Sequence, residues 1–475
     1  MDAMASTTQP PLCVDMDGTL LRTDMLYESV LALLRLNPFY ALLLPWWLLH
    51  GKAALKREIA SRVALDGATL PYDERVVDLL RSHLGYRVLC TASDQRLAQN
   101  VAGHLGLFDE VLASDGVSNL EGNRKADALI LRFGEHGFIY VGNSAVDLHV
   151  WRRACSAWVV NAPASLARAV AAVAPIAGEM PRKATRMIRV WMRQLRVHQW
   201  LKNLLVMVPL LASHRFLDPD ALLDATLAFA AFSLCASGVY VLNDLLDLPS
   251  DRIHPRKRFR PLAHGDLPLL HGMAAVPALT LAGFALALGC GTRFTAVLLL
   301  YYLTTLAYSL YLKRVVMLDV VVLAGLYTLR IIGGALAIGA GLSFWLLAFS
   351  MFIFLSLAVL KRYVELGDQL ASGRRPSGRD YEVEDLSLLR SLGAASGYLA
   401  VLVLALYINS PESLELYSRP KALWLLCPLM LYWVSRVWVM AHRGHMHDDP
   451  VVFAVTDRVS LCVGAMAALV AVFAI

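Results

Sequence analysis

Apolar and polar residues alternate on two length scales along this chain. Up to about Val160 the apolar runs are short. Pro11–Asp15, Tyr86–Thr91 and Gly137–Gly142 each close on polar or glycine residues, and helical patterns fill the intervals. Strand-like runs separated by helices predict a parallel sheet in a Rossmann-like α/β domain over residues 1–160. Residues 161–198 read as a linker, rich in alanine and proline over 161–181, followed by a basic segment. From about Leu201 the apolar stretches lengthen toward the roughly 20 residues that cross a bilayer. Nine spans are predicted, at 201–217, 222–242, 268–290, 294–312, 318–340, 343–363, 391–409, 420–441 and 454–474. Residues 199–475 are therefore expected to form an all-α, multi-pass membrane bundle.

Composition supports that division. The chain has 475 residues, 57% hydrophobic and 17% charged. Soluble chains run at about 45–50% apolar and about 25% charged. A disordered chain and an ordinary soluble enzyme are both excluded. The net charge of +6 is too small to argue for nucleic acid. The seven cysteines are scattered and never spaced as CxxC, so neither a disulfide framework nor a zinc site is indicated. No basic-then-apolar leader opens the sequence, so the N-terminal domain is expected in the cytoplasm. Positive charge agrees. Arg252, Arg256, Lys257, Arg258 and Arg260 follow the second predicted span, Lys313 and Arg314 the fourth, and Lys361, Arg362, Arg374, Arg375 and Arg379 the sixth. The opposite side carries Arg215, Arg293, Arg419 and Lys421. The positive-inside rule places the basic loops with the N-terminal domain on the cytoplasmic face of the inner membrane. Arg182, Arg186, Arg189, Arg193 and Arg196 would make one stripe on a helix. That stripe suits anionic headgroups or an ordinary juxtamembrane charge run.

The N-terminal half holds an ordered set of polar motifs. Asp15-Met16-Asp17-Gly18-Thr19-Leu20 follows the first apolar run. Of two carboxylates at a strand end, one can attack phosphorus and the other can carry a proton to the leaving oxygen. Thr91 ends Val88-Leu89-Cys90 and could hold a phosphoryl oxygen. Lys125 offers a cation for developing charge. Tyr140-Val141-Gly142-Asn143-Ser144 runs on to Asp147 and offers oxygen ligands to Mg²⁺. Together these motifs resemble the haloacid dehalogenase (HAD) superfamily of aspartate-nucleophile phosphatases over about residues 11–160. The resemblance implies Asp15 as nucleophile and Asp17 as acid and base. It implies Thr91 and Lys125 as phosphate holders, and Asp15, Asp17, Asn143 and Asp147 around Mg²⁺. The fourth motif usually reads Gly-Asp; here it is Gly142-Asn143, whose amide is a neutral, weaker ligand. The stretch between Asp17 and Thr91 is too long for a loop and predicts a helical cap. Its apolar run Pro38–Leu49 is too short to span a bilayer. It fits either a buried cap helix or a lipid-facing platform.

In the membrane half the sharpest pattern is Asn243-Asp244-Leu245-Leu246-Asp247-Leu248-Pro249-Ser250-Asp251. On a continuous helix Asp244, Asp247 and Asp251 would share one face. Three carboxylates at a membrane boundary repel unless a cation holds them, and Mg²⁺ takes oxygen ligands completed by substrate phosphates. The loop His254-Pro255-Arg256-Lys257-Arg258-Phe259-Arg260-Pro261 follows, with guanidinium groups suited to a diphosphate. Lys202 and Asn203 lie where the first span begins, Tyr308 and Lys313 near the fourth, Lys361 and Arg362 near the sixth, and Arg330 well inside a span. His447-Asp448-Asp449-Pro450 and Asp457-Arg458 offer supporting acids or a helix cap.

The NDxxDxxxD motif with a following Arg-Pro resembles the UbiA superfamily of intramembrane prenyltransferases over roughly 190–475. NDLLDLPSDRIHPRKRFRP, RVHQWLKN and KRYVEL look most like its decaprenyl-phosphate phosphoribosyltransferase branch. Glu365 and Asp368 are sparse beside the second acid-rich motif of aromatic prenyltransferases. The resemblance implies transfer of 5-phosphoribose from phosphoribosyl pyrophosphate (PRPP) to a polyprenyl phosphate. Asn243, Asp244, Asp247 and Asp251 would hold Mg²⁺–diphosphate. Lys202, Asn203, Lys257, Arg258, Arg260, Tyr308, Lys313, Arg330, Lys361 and Arg362 would line the substrates. The HAD half would remove the 5-phosphate, giving polyprenyl-phosphoryl ribose for cell-envelope glycans. The alternatives are prenyl transfer to an aromatic acceptor and a non-catalytic transporter or scaffold. A homo-oligomer is allowed; lipid length and oligomeric state are not legible.

Overall fold

A computed structural model describes residues 9–115, 119–182, 186–371, 380–446 and 450–475. The chain divides into two compact units, Met1–Leu195 with Tyr240–Val276, and Arg196–Val239 with Pro277–Ile475.

In the first unit, six strands form one parallel sheet: β1 (Leu12–Val14), β2 (Arg87–Asp94), β3 (Glu110–Ser114), β4 (Ile139–Gly142), β5 (Ser156–Val160) and β6 (Ile176–Met180). The order is β3-β2-β1-β4-β5-β6. Alternate side chains leave a strand on opposite faces. Leu12 and Val14 accordingly enter one core with Met16, Leu20, Leu89 and Val101, whereas Cys13 enters the other with Cys90, Leu129, Tyr140 and Trp151. Residues 161–181, expected as linker, contain the helix Ala164–Ala171 and the sixth strand. The chain order reverses between β1 and β4, and ligands of open α/β sheets bind at such a switch, beyond the carboxyl ends of the strands.

Tyr240–Val276 belongs to the same unit. The long helix Pro219–Leu246 stops before Pro249, and a short helix, Leu248–Ile253, restarts at once. Proline lacks the N–H and crowds the preceding turn. The helical assignment breaks at Asp247, yet its N–H still bonds Asn243 O at 2.8 Å and Asp251 N bonds Asp247 O at 2.9 Å. The arginine stripe is corrected. Its helix covers only Met187–Gln194, and Arg196 has a left-handed backbone. Arg182 Nη2 donates to Asp266 O at 2.7 Å and Arg193 Nη2 to Phe259 O at 3.2 Å, so two of the five guanidiniums bind protein carbonyls.

The second unit is helical. Including the two helices shared with the first unit, seven helices among the described residues are long and apolar enough to cross a membrane: Pro219–Leu246, Leu269–Gly289, Thr292–Leu310, Leu318–Ala337, Phe344–Leu370, Asp385–Ile408 and Pro420–His442. Pro450–Thr456 and Arg458–Ala474, bent by 76°, make an eighth if counted as one. The first expected span, 201–217, is instead a 3-10 segment, Val197–Met207, followed by the short helix Val208–Ala212. Its polar Asn203 is buried, and its backbone lies against Gly334, where a Cβ would meet Val206 O at 2.0 Å. The segment is held by packing rather than by a continuous apolar helix. The expected basic residues Arg374, Arg375 and Arg379 and the turn His447-Asp448-Asp449 lie outside the described residues.

Candidate functional site

Asp15 follows β1 at the switch point, its N–H donating to Val141 O at 3.0 Å. The loop beyond it turns through Gly18 at φ +73°, where a Cβ would lie 2.1 Å from Asn143 Nδ2, so only glycine fits there. Lys125 Nζ donates to Asp15 Oδ1 at 2.8 Å and to Tyr140 OH at 3.0 Å, and Tyr140 OH donates to Asp147 Oδ1 at 2.9 Å. All four side chains are buried. Burial pushes the Asp15 carboxyl up to about 7 against the attraction of Lys125. Burial opposes the charge on Lys125, but Asp15 and Asp147 hold it above the ordinary lysine range. Asp17 sits beside Asp15 with different partners. It accepts from Met25 N at 2.7 Å, at the start of the helix Met25–Leu36, and from Ser93 Oγ at 2.8 Å. Thr91 is buried in β2, its Oγ1 accepting from Ser93 N at 3.0 Å.

The chain order Asp15, Asp17, Thr91, Lys125, Asn143, Asp147 thus becomes one cluster at the switch point. Of the residues expected around Mg²⁺, Asp15 is paired with Lys125. Asp147 Oδ2 accepts from the Asn143 and Ser144 amides, at 3.2 and 2.9 Å, and Asp17 is likewise committed. Among the described residues no three acidic, histidine or cysteine side chains converge as a metal would require. The sequence reading missed two parts of this site. Tyr140 is masked by its place in an apolar strand. Lys56, from the cap, donates to Ala92 O at 2.7 Å; a lone helical lysine carries no spacing signal.

The second cluster forms where the helix breaks. Arg260 Nη1 donates to Asp244 Oδ1 at 3.0 Å and to Asp251 Oδ2 at 2.5 Å, so two buried carboxylates meet on one nitrogen. Burial raises the Asp251 carboxyl above the usual range, with Asp244 adding to it and Arg260 opposing. Gln194 Nε2 donates to Asp244 Oδ2 at 2.9 Å, while its buried Oε1 has no partner. Gln194 was missed because it reads as one more polar residue in a basic segment; its signal is a buried position four after Val190. Lys257 Nζ lies 4.0 Å from Asp251 Oδ1, and Lys257 and Arg258 are exposed. Asp247 is half-buried at the break and Asn243 precedes the pair. The donors are all oxygen, and Mg²⁺ is commonly held by one or two carboxylates plus phosphates and water. Asp244 and Asp251 already converge on one cationic group, and their all-oxygen donor set is of the kind such an ion takes.

The remaining expected residues fall in the second unit. Arg330 is buried and bonds through all three nitrogens: Nε donates to Asn203 Oδ1 at 2.8 Å, Nη1 to Leu326 O at 2.6 Å and Nη2 to Tyr301 OH at 2.8 Å. Asn203 also donates to Ser233 Oγ at 3.0 Å. Arg362 Nε donates to Asp319 Oδ2 at 2.5 Å, Nη2 donates to Tyr308 OH at 2.7 Å, and Nη1 pairs with Glu365. Tyr381 OH donates to Asp319 Oδ1 at 2.6 Å. Asp319 was missed, although an acid at the head of a predicted span is a sufficient signal. Lys202, Lys313 and Lys361 are half-buried.

The UbiA prenyltransferase family profile matches residues 204–473. An uncharacterized protein of Sinorhizobium fredii is 37% identical over 465 residues, 96% of this chain and 90% of that protein. Nodulation protein NoeC of Azorhizobium caulinodans is 40% identical, over 56% of this chain and 87% of its own. Decaprenyl-phosphate phosphoribosyltransferase of Mycolicibacterium smegmatis is 28% identical, over 56% and 86%. Among solved structures, a UbiA homolog from Archaeoglobus fulgidus bound to GPP and Mg²⁺ aligns with a TM-score of 0.46 at 17% identity, covering 60% of this chain and 98% of that one. With a family match across more than half of its length, in the segment that carries the apolar helices, this chain belongs to the UbiA prenyltransferase family.

Proposed function

We propose that this multi-pass membrane protein transfers 5-phosphoribose from PRPP to a polyprenyl phosphate, and that its α/β domain, a HAD-type phosphatase, then removes the 5-phosphate. The observation that carries the transferase reading is the Asp244–Arg260–Asp251 cluster beside the exposed Lys257 and Arg258. Paired acids for a cation and exposed guanidinium and ammonium groups nearby suit a diphosphate. The resemblance to decaprenyl-phosphate phosphoribosyltransferases supports the choice of donor and acceptor.

Asp244 and Asp251, with Asn243 and Asp247 adjacent, would hold Mg²⁺, which when bound supplies positive charge to the leaving diphosphate. Arg260 would turn from the acids to the diphosphate, joined by Lys257 and Arg258. An oxygen of the lipid phosphate attacks C1 of the ribose. The bond from C1 to the diphosphate oxygen breaks, and diphosphate leaves with the electron pair. In the α/β domain Asp15 attacks the 5-phosphoryl group and the bond to the ribose oxygen breaks. Asp17 supplies that oxygen's proton, then takes one from the water that hydrolyses the aspartyl-phosphate. Lys125 offsets charge on the phosphoryl oxygens. The product, polyprenyl-phosphoryl ribose, would donate pentose to cell-envelope glycans, with the α/β domain on the cytoplasmic side of the inner membrane.

The test incubates full-length protein with labelled PRPP, polyprenyl phosphate and Mg²⁺, and identifies the lipid product by mass. Lipid-linked ribose supports the proposal. No ribosylated lipid, together with prenyl transfer from a polyprenyl diphosphate to an aromatic acceptor, would replace it with the other UbiA chemistry.

A further inference from the structure

The cap of the α/β domain carries an apolar surface that its own fold does not cover. Pro38–Leu42 is a short 3-10 helix and Leu44–Leu49 a short α-helix. Trp47 turns inward onto Val30, Leu33, Leu55 and Ile59. Phe39, Leu42, Trp46 and Leu49, spaced three, four and three apart, turn outward and are 75%, 76%, 60% and 79% exposed. Isolated exposed apolar residues are ordinary, but a contiguous set marks a docking surface.

Two observations identify the occupant. The inward side of the cap packs against Met273, in the first unit, and Met273 lies five residues into Leu269–Gly289, a helix long and apolar enough to span a membrane. The cap is therefore held where that helix begins its apolar course. In addition, no acidic residue occurs between Glu28 and Glu58, whereas Arg35, Lys52 and Arg57 fall in that interval beside Lys56, which is turned to Ala92 O. Outward aromatic and leucine side chains with an unbalanced positive charge are the composition of an interfacial element on anionic lipid. Tryptophan favours the same depth.

We propose that Pro38–Leu49 lies in the headgroup layer of the bilayer, with Phe39, Leu42, Trp46 and Leu49 in contact with lipid. The inference rests on the membrane character of the chain and not on the identity of any substrate. It gives the α/β site a reason to sit beside a membrane. The helix Met25–Leu36 starts at the residue whose N–H holds Asp17 and ends at the cap. Twelve residues at 1.5 Å each place the lipid contact about 18 Å from the catalytic loop. A phosphoryl group on a lipid-linked sugar would be delivered to that loop without leaving the membrane surface.

The test uses full-length protein in vesicles of phosphatidylcholine and phosphatidylglycerol. Leu42→Cys and Leu49→Cys are each spin-labelled in a Cys462→Ser background, since Cys462 is the exposed cysteine among the described residues. Leu131→Cys, on the helix Asn123–Phe133 and 91% exposed, serves as the water-facing control. At positions 42 and 49 collisions should favour oxygen, which concentrates in lipid, over a water-soluble nickel chelate; at 131 the preference should reverse. The same water-type ratio at all three sites overturns the proposal. Low collision with both reagents at 42 and 49 overturns it too, because protein and not lipid would then cover the face. If lipid contact is found but no ribosylated lipid forms, the surface stands and the substrate assignment falls.

Discussion

Asp244 is held from two sides, by Arg260 on one oxygen and Gln194 on the other. A buried hydrogen bond to a charged group is worth about 1.5–3 kcal/mol. Gln194→Leu keeps the size but removes the donor, so Asp244 should lose its orientation while the fold persists. We expect a roughly 10- to 150-fold loss of lipid-linked product, matching about 1.5–3 kcal/mol, with a raised Mg²⁺ requirement. Unchanged Mg²⁺ dependence would reduce Gln194 to packing. A second residue reports on pH. Asp73 is buried, yet Arg75 at 2.6 Å and Asn161 at 3.0 Å pull its carboxyl down to about 2. Because the folded value lies below the unfolded one, the pair stabilises fully above about pH 4 and the stabilisation is lost as pH falls toward 2. Asp73→Asn should therefore be less stable than wild type by about 2 kcal/mol near neutrality. The gap should close on acidification in thermal unfolding of detergent-solubilised protein. A gap that widens with acid contradicts the assignment.

Two elements meet at a buried ion pair. Glu28, on the helix Met25–Leu36, receives Arg252 Nη2 at 2.5 Å, from the short helix Leu248–Ile253 that also carries Asp251. Thr23 Oγ1 donates to the same Glu28 oxygen at 2.8 Å. Removing one partner of such a pair strands the other charge and costs about 3–5 kcal/mol, whereas replacing both with apolar residues is often neutral. Glu28→Gln should lower the unfolding temperature of the first unit markedly, and Glu28→Leu with Arg252→Met should recover most of it. If the double variant is as weak as the single, the pair is not what joins these helices. The pairing was not legible in sequence. Glu28 and Arg252 are 224 positions apart, and each looks like an ordinary charge on an amphipathic helix.

At the scale of the whole chain, the phosphatase-like cluster and the acid pair belong to the same compact unit. Asp15→Asn separates the two proposed reactions. The amide cannot form an acyl phosphate, but the Asp244–Asp251 pair is untouched. Wild type is expected to release inorganic phosphate and polyprenyl-phosphoryl ribose, and the variant to stop at the 5-phosphorylated lipid. Identical products from both proteins would make the α/β domain a positioning module. Asn143 is the residue that tests this further, since Asn143→Asp restores the acid usual at that place in the motif. If the domain is slow for want of an anionic ligand, phosphate release should rise in that variant.

The division into an α/β half and an apolar helical half follows from periodicity alone, because burial of short runs and of twenty-residue runs demands different solvents. So does the approximate position of eight of the apolar segments. The polar motifs were legible for a related reason: carboxylates at the end of an apolar strand or span are costly without partners, so their presence stands out. What the sequence could not decide is which charges meet. Asp244 and Asp251 met on Arg260, Asn203 took Arg330, and Asp319 took Arg362. The run 201–217 is apolar enough for a span but is pinned as a 3-10 segment by close backbone packing. Apart from the Asp244–Arg260–Asp251 cluster, each of these depends on partners tens to hundreds of residues away, and local pattern carries no information about partners at that separation.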